Sequence, residues 1–87
     1  MKMIILILKD SDSEAITQAL TSAEYRVTRV ASTGGFLRSG VVTLLLGLDD
    51  DRVDPAIGLI REKLSPLISG EKRATLFVVP VERFEQV

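Results

Sequence analysis

Two stretches of this chain are apolar without alternation: M-I-I-L-I-L at residues 3–8 and V-V-T-L-L-L-G-L at residues 41–48. A strand with one wet face alternates apolar and polar side chains, whereas a strand apolar at successive positions is buried on both faces. Both runs are far shorter than the roughly 20 apolar residues of a membrane span. Their isoleucine, valine and leucine content suits strands. Each therefore predicts a central strand. With 87 residues the chain has material for one domain, residues 1–87, and a domain of this size is marginal on its own. Whatever covers the second face of those strands must come from a small supply.

The intervening segments give the rest of the architecture. K-D-S-D-S-E-A-I-T-Q-A-L follows the first run. Ser11 and Glu14 have the spacing of a capping box, and Ala15, Ile16, Ala19, Leu20 and Ala23 fall on one face of a 3.6-residue period. These features predict an amphipathic helix over residues 11–23. Residues 25–32 alternate: Tyr25, Val27, Arg29 and Ala31 share one face, and Arg26, Thr28 and Val30 share the other. A strand with arginines on both faces is at most half buried. D-D-D-R-V-D-P then opens a second helix. Its acidic residues suit the positive end of the helix dipole, and Pro55 is tolerated in a first turn. Val53, Ala56, Ile57, Ile60 and Leu64 form its apolar stripe, and Pro66 or Gly70 closes it. Residues 74–79 are the last strand, stopped by Pro80, and V-E-R-F-E-Q-V is a tail. Gly47 inside the third strand predicts a bulge or a close approach by another group.

The order β-α-β-β-α-β predicts an α+β fold, a ferredoxin-like sandwich of a four-stranded antiparallel sheet with both helices on one face. The other face is then left bare, although the strands at 3–8 and 41–48 are apolar on that side too. A second copy of the chain is the economical cover, so a homo-oligomer is expected.

Composition narrows the chemistry. Eleven basic and twelve acidic side chains give a net charge of −1, which argues against a generic duplex-DNA surface. There is no histidine and no cysteine, so zinc sites built on those ligands, disulfides and histidine-based nucleophilic triads do not arise within the chain. No metal and no cofactor are expected. Asp49, Asp50 and Asp51 read as residues of a helix start, with a metal site as the less favoured reading. The N-terminal apolar run is interrupted by Lys9 and Asp10, and no small-residue cleavage site follows. A cytoplasmic protein without a membrane segment is expected.

The remaining candidate chemistry sits around A-S-T-G-G-F-L, residues 31–37. Gly34 and Gly35 leave backbone N–H groups unshielded for phosphate or a base edge. Phe36 offers a face for stacking. Arg26 supplies a charged donor fork and Thr28 a hydroxyl on the same side of the preceding strand. Gly47 on the next strand lets a planar ring approach. Pattern alone leaves a second account equally open, in which the glycines make a hairpin, Phe36 touches another subunit and Arg26 is merely solvated. No general acid–base pair stands out, and an enzyme is not expected.

R-V-T-R-V-A-S-T-G-G-F-L-R-S-G, followed by R-V-D and by F-V-V-P-V-E-R-F-E-Q-V, closely resembles the PII-like cyclic-di-AMP receptor family, relatives of the bacterial nitrogen-regulatory PII proteins. The resemblance runs from the first strand to the last residue. It implies a cytosolic, PII-like homotrimer whose sheets line the trimer interior, binding a nucleotide second messenger, cyclic di-AMP, in clefts between subunits and passing its signal to a protein target. It implies that Arg26 and Thr28 meet phosphates or a base edge. Gly35, Phe36 and Leu37 would hold an adenine, and Gly47 would line the pocket. Phe77 and Gln86 would contribute across the subunit boundary. Val41 stands at a ligand-site position where an asparagine is common, and Glu24 likewise replaces an asparagine. The long glycine-containing loop that such proteins carry between the second helix and the last strand is here only S-P-L-I-S-G-E-K-R, where Lys72 and Arg73 are cations of open purpose. These departures keep an alternative open: a PII-like trimer that binds a different nucleotide or only a protein partner, with cyclic-di-AMP binding weakened or lost.

Overall fold

The strand Lys2–Lys9 (β1) and the strand Val41–Leu48 (β3) lie side by side at the centre of one sheet, in a computed structural model that describes residues 1–30, 40–64 and 74–87. Arg26–Val30 (β2) pairs with the outer edge of β3, and Ala74–Pro80 (β4) with the outer edge of β1. The sheet order is β2-β3-β1-β4, and all three pairings are antiparallel. The helices Asp10–Ser22 (α1) and Val53–Lys63 (α2) complete the βαββαβ order. The fold is therefore the expected α+β sandwich, and the two unalternating runs are its two central strands.

Parity along the strands sorts the side chains cleanly. Ile4, Leu6 and Leu8 of β1 and Val42, Leu44, Leu46 and Leu48 of β3 are buried toward the helices. They form one cluster with Ile16 and Leu20 of α1, Ala56 and Ile60 of α2, and Tyr25. The intervening residues Met3, Ile5, Ile7, Val41, Thr43 and Leu45 point the other way and are only half buried. Neither α1 nor α2 packs on that second face.

The first helix departs from expectation at its start. It begins at Asp10, not Ser11, with Lys9 as the cap residue and no side-chain cap bond. The Ser11–Glu14 capping box is therefore not formed. The reason is local: β1 runs straight into the helix, and the Asp10 N–H donates to the Gly40 carbonyl at 2.7 Å. A backbone acceptor next to β3 thus occupies a donor that a cap would serve. Gly40 is suited to this turn because its φ is +84°. The buried stripe also shifts, to Asp12, Ser13, Ile16 and Leu20, while Ala15 and Ala23 are exposed. Ser13 remains satisfied by donating to the Asp10 carbonyl at 2.8 Å.

The other end of α1 is a Schellman turn. Tyr25 N–H donates to Leu20 O at 2.9 Å, and Glu24 N–H to Thr21 O at 3.0 Å. Such a turn needs a left-handed residue between them, and Glu24 has φ 67°. Asparagine tolerates this conformation better than glutamate, which gives the asparagine common at this position in the resembled family a backbone reason, independent of any ligand.

Arg52 locks this turn to the second helix. Its guanidinium donates to Ala23 O at 2.9 Å and to Glu24 O at 3.4 Å, and lies 4.0 Å from the centroid of the Tyr25 ring. The R-V-D motif thus joins the end of α1 to the beginning of α2. D-D-D-R forms a single 3-10 turn, Asp50–Arg52, ahead of α2. Pro55 sits in the first turn of α2, where its missing N–H is not needed. The helix stops at Lys63, where Leu64 turns to extended backbone with ψ 149°.

Two stability effects are expected. Glu24→Gly relieves the left-handed strain and raises stability by about 0.5–1 kcal/mol after the added freedom of the unfolded chain is counted. That corresponds to a Tm rise of about 2–8 °C for a domain of this size. Arg52→Ala removes two charge-assisted bonds and a cation–π contact and costs about 1–2 kcal/mol. Thermal melts of the two variants beside the parent measure both.

Candidate functional site

The open face of the sheet collects the strand residues singled out from sequence. Arg26 pairs in register with Gly47, which pairs with Met3, which pairs with Val79. The next row is Thr28, Leu45, Ile5 and Phe77. Arg26, Thr28, Gly47 and Phe77 therefore occupy one face and two adjacent rows. Arg29, one residue away in β2, is on the helix side and pairs with Asp10 at 2.8 Å. Arg26 is exposed and has no hydrogen bond or ion pair among the described residues. A solvated guanidinium on an apolar face is available to an anion.

A cleft of about 820 Å³ lies on this face, within the range of small-molecule sites. Its floor is Met3, Leu45 and Gly47, and Thr28 stands at one side. The opposite side is Met1 and the end of β4 with the chain that follows it, Pro80, Val81, Glu82, Arg83 and Phe84, so one carboxylate and one guanidinium stand on that side. That segment is tied down where it begins, because Val81 N–H donates to Met1 O at 3.1 Å. Arg83 pairs with Glu85 at 2.7 Å, and Phe84 is 60% exposed.

Gly47 explains itself here. The register of β3 runs through it without a bulge. What approaches is Met1, whose terminal methyl lies 3.1 Å from where a Cβ on Gly47 would stand. Gly47 is therefore bare floor, covered among the described residues only by the end of a flexible side chain.

Other candidate residues stand apart. Val41 shares the open face but lies six residues from Gly47, about 20 Å along the strand. Phe77 is in the Thr28 row, yet β4 is three strand spacings from β2, about 14 Å; its ring is 51% exposed. Gln86 is exposed in the tail and does not line the cleft. Gly35, Phe36 and Leu37 lie outside the described residues, as do Lys72 and Arg73. Arg83 and Phe84 were missed as cleft residues, Gln86 being the one residue of the tail singled out. The signal was present: a cation beside an aromatic directly after a strand-stopping proline.

With this geometry in view, comparison with known proteins is decisive. Residues 1–67 match the model of a family described as cyclic-di-AMP receptor. The chain belongs to the cyclic-di-AMP receptor family. The matched span includes β1, α1, β2, β3 and α2, and with them Arg26, Thr28, Val41 and Gly47. The chain is also similar to a crystal structure of a functionally unknown protein from Pediococcus pentosaceus, at 27% identity and a TM-score of 0.77, over 99% of this chain and 96% of that one. Membership in a receptor family points to binding and signalling, with a small nucleotide as the ligand class. Among the described residues, no helix is long and apolar enough to cross a membrane, and no group of three or more acidic side chains is placed to hold a metal ion.

Gly47 gives a direct test of the cleft floor. Gly47→Ala meets only the Met1 methyl, and its backbone is not left-handed. Stability is expected to stay level or rise by up to about 1 kcal/mol, because glycine weakens a strand interior. A Tm that falls by more than about 3 °C would show that the glycine serves the backbone and not the floor.

Proposed function

We propose that the chain is a PII-like signalling receptor that binds cyclic di-AMP in clefts between the subunits of a cytoplasmic homotrimer, and that it acts by binding and not by catalysis. The observation that carries this reading is that Thr28 and Gly47 line an apolar cleft on the uncovered face of the sheet, with Arg26 on the same face in register with Gly47. The guanidinium meets a phosphate, the hydroxyl meets a phosphate or base edge, and the glycine floor admits a flat ring. Gly35, Phe36 and Leu37 hold an adenine in the manner of the family.

The trimer is supported by the face itself. Met3, Ile5, Ile7 and Leu45 are half buried there, and Phe77 is largely bare. Apolar area of this kind is normally covered by a partner, and a second copy presents the same chemistry. Phe77 supports the same assembly. A small ligand at Thr28 does not touch a ring three strands away in its own chain, but a neighbour that lays its β4 edge beside β2 brings its own Phe77 there. Gln86 is assigned to the same shared boundary. The output passes to a protein target.

Val41 favours a second reading. Its side chain has no hydrogen-bonding group where the family commonly has an amide, and the connection after α2 is only S-P-L-I-S-G-E-K-R. On this reading the trimer is retained, but the cleft takes another nucleotide, or the protein target alone is bound.

Isothermal titration with cyclic di-AMP, with cyclic di-GMP, ATP and AMP as controls, separates the two. The first reading expects selective heat with cyclic di-AMP near one ligand per subunit, and a loss of about tenfold or more in affinity for Arg26→Ala, since a bond to a charged group is worth about 1.5–3 kcal/mol. Heat with a different nucleotide, or with none, moves the conclusion to the second. Light scattering that gives a monomer overturns the assembly in both.

A further inference from the structure

The side of the cleft that none of the assigned residues explains is the tail. We propose that Arg83 and Phe84 form a second binding wall, with Phe84 stacking on a base of the ligand and Arg83 engaging a phosphate after exchanging its bond with Glu85. This inference rests on the reading of the cleft as a nucleotide site and adds residues to it.

Three observations lead to it. The tail is not placed at random: the Val81–Met1 backbone bond at 3.1 Å fixes its origin against the start of β1, beside the Gly47 floor. Phe84 keeps 60% of its surface exposed while lining the cleft. A ring left bare against an apolar floor is an open stacking face, and stacking is worth about 1–3 kcal/mol per base. Arg83 has an exchangeable partner. The Arg83–Glu85 bond is 2.7 Å long, but the two side chains are 78% and 58% exposed. An ion pair so exposed contributes at most about 1 kcal/mol, and a phosphate offers the guanidinium the same paired acceptors with more charge. Arg26 stands at the β2 side of the same floor, in register with Gly47. The face thus carries two guanidinium groups, Arg83 lining the cleft and Arg26 outside its lining.

The test uses the intact protein and three kinds of variant, titrated with cyclic di-AMP. Phe84→Ala is expected to lower affinity about tenfold or more, and Phe84→Tyr to keep it within about twofold, because the flat face remains. Arg83→Gln is expected to weaken binding several-fold. Glu85→Gln frees Arg83 and is expected to tighten binding by about two- to fivefold. Opposite signs at neighbouring positions separate a ligand contact from a structural one, which neither change would improve. Light scattering runs beside each titration. If Phe84→Ala alters the oligomeric mass and Phe84→Tyr restores it with no change in intrinsic affinity, Phe84 is a subunit contact and the proposal fails. Parent protein that binds while all four variants bind equally well overturns the wall but leaves the nucleotide reading standing. Parent protein that binds no nucleotide overturns both.

Discussion

The rest of the structure depends on a mismatch of supply. β1 and β3 are apolar on both faces, and the described residues hold two α-helices, enough to cover one. The helix face closes over Ile4, Leu6, Leu44 and Leu46, each fully buried. The opposite face carries Met3, Ile5, Ile7 and Leu45 with nothing of the described chain packed flat upon them. A small domain has a high surface-to-volume ratio and cannot afford idle apolar area. That same face holds Arg26, Thr28 and the bare backbone of Gly47. Where a domain leaves apolar surface open and sets a few polar groups into it, the surface has the makings of both an interface and a pocket.

Opposite the open face, the connections are stiffened. Arg52 holds two carbonyls at the end of α1 while lying over the Tyr25 ring, and the Tyr25 hydroxyl returns to the Arg52 carbonyl at 3.4 Å. Tyr25 is buried and is followed at once by Arg26. The anchoring of β2 to the helix layer therefore sets where Arg26 emerges on the far side. Glu24 accepts an unfavourable backbone conformation at this junction. The benefit is a sharp reversal from helix into edge strand, which gives the strand its register against Gly47 and Leu45.

Much of this was legible in sequence, and the reasons are physical. Unalternating apolar runs marked β1 and β3 as central, because no other position buries both faces. Alternation placed Arg26 and Thr28 on one side of β2, because strand period is fixed at two. The Ser11–Glu14 cap was misread because a cap signal reports only local options. A carbonyl near in space, that of Gly40, reached the helix start first. Glu24 stood out only as a replacement for an asparagine, although its φ is what the fold constrains. Phe77 was placed in a site by likeness to a family, and strand order then set it about 14 Å from Thr28 within one chain, a distance no single-chain pattern reveals. Arg83 and Phe84 were overlooked because a tail has no periodicity. Only the return of the chain over the sheet, fixed by one backbone bond, gives those residues a place.

The position of the cleft bears on how such a protein would signal. A ligand shifts a protein between states only by contacting them differently. The floor of this cleft is hydrogen-bonded sheet, which has little freedom to change. Its movable parts are side chains and the tail: the Met1 methyl over Gly47, the Arg83–Glu85 pair and the Phe84 ring. A nucleotide entering here would displace the first, exchange the second and order the third. The tail leaves the sheet directly from β4, an edge strand whose outer side has no neighbour among the described residues. Ordering the tail would therefore change the surface beside the β4 edge, which in the proposed assembly lies against β2 of a neighbouring subunit. On this argument the message is carried less by a lid than by the tail at the edge of the sheet, and the partner that reads it should contact residues following Pro80.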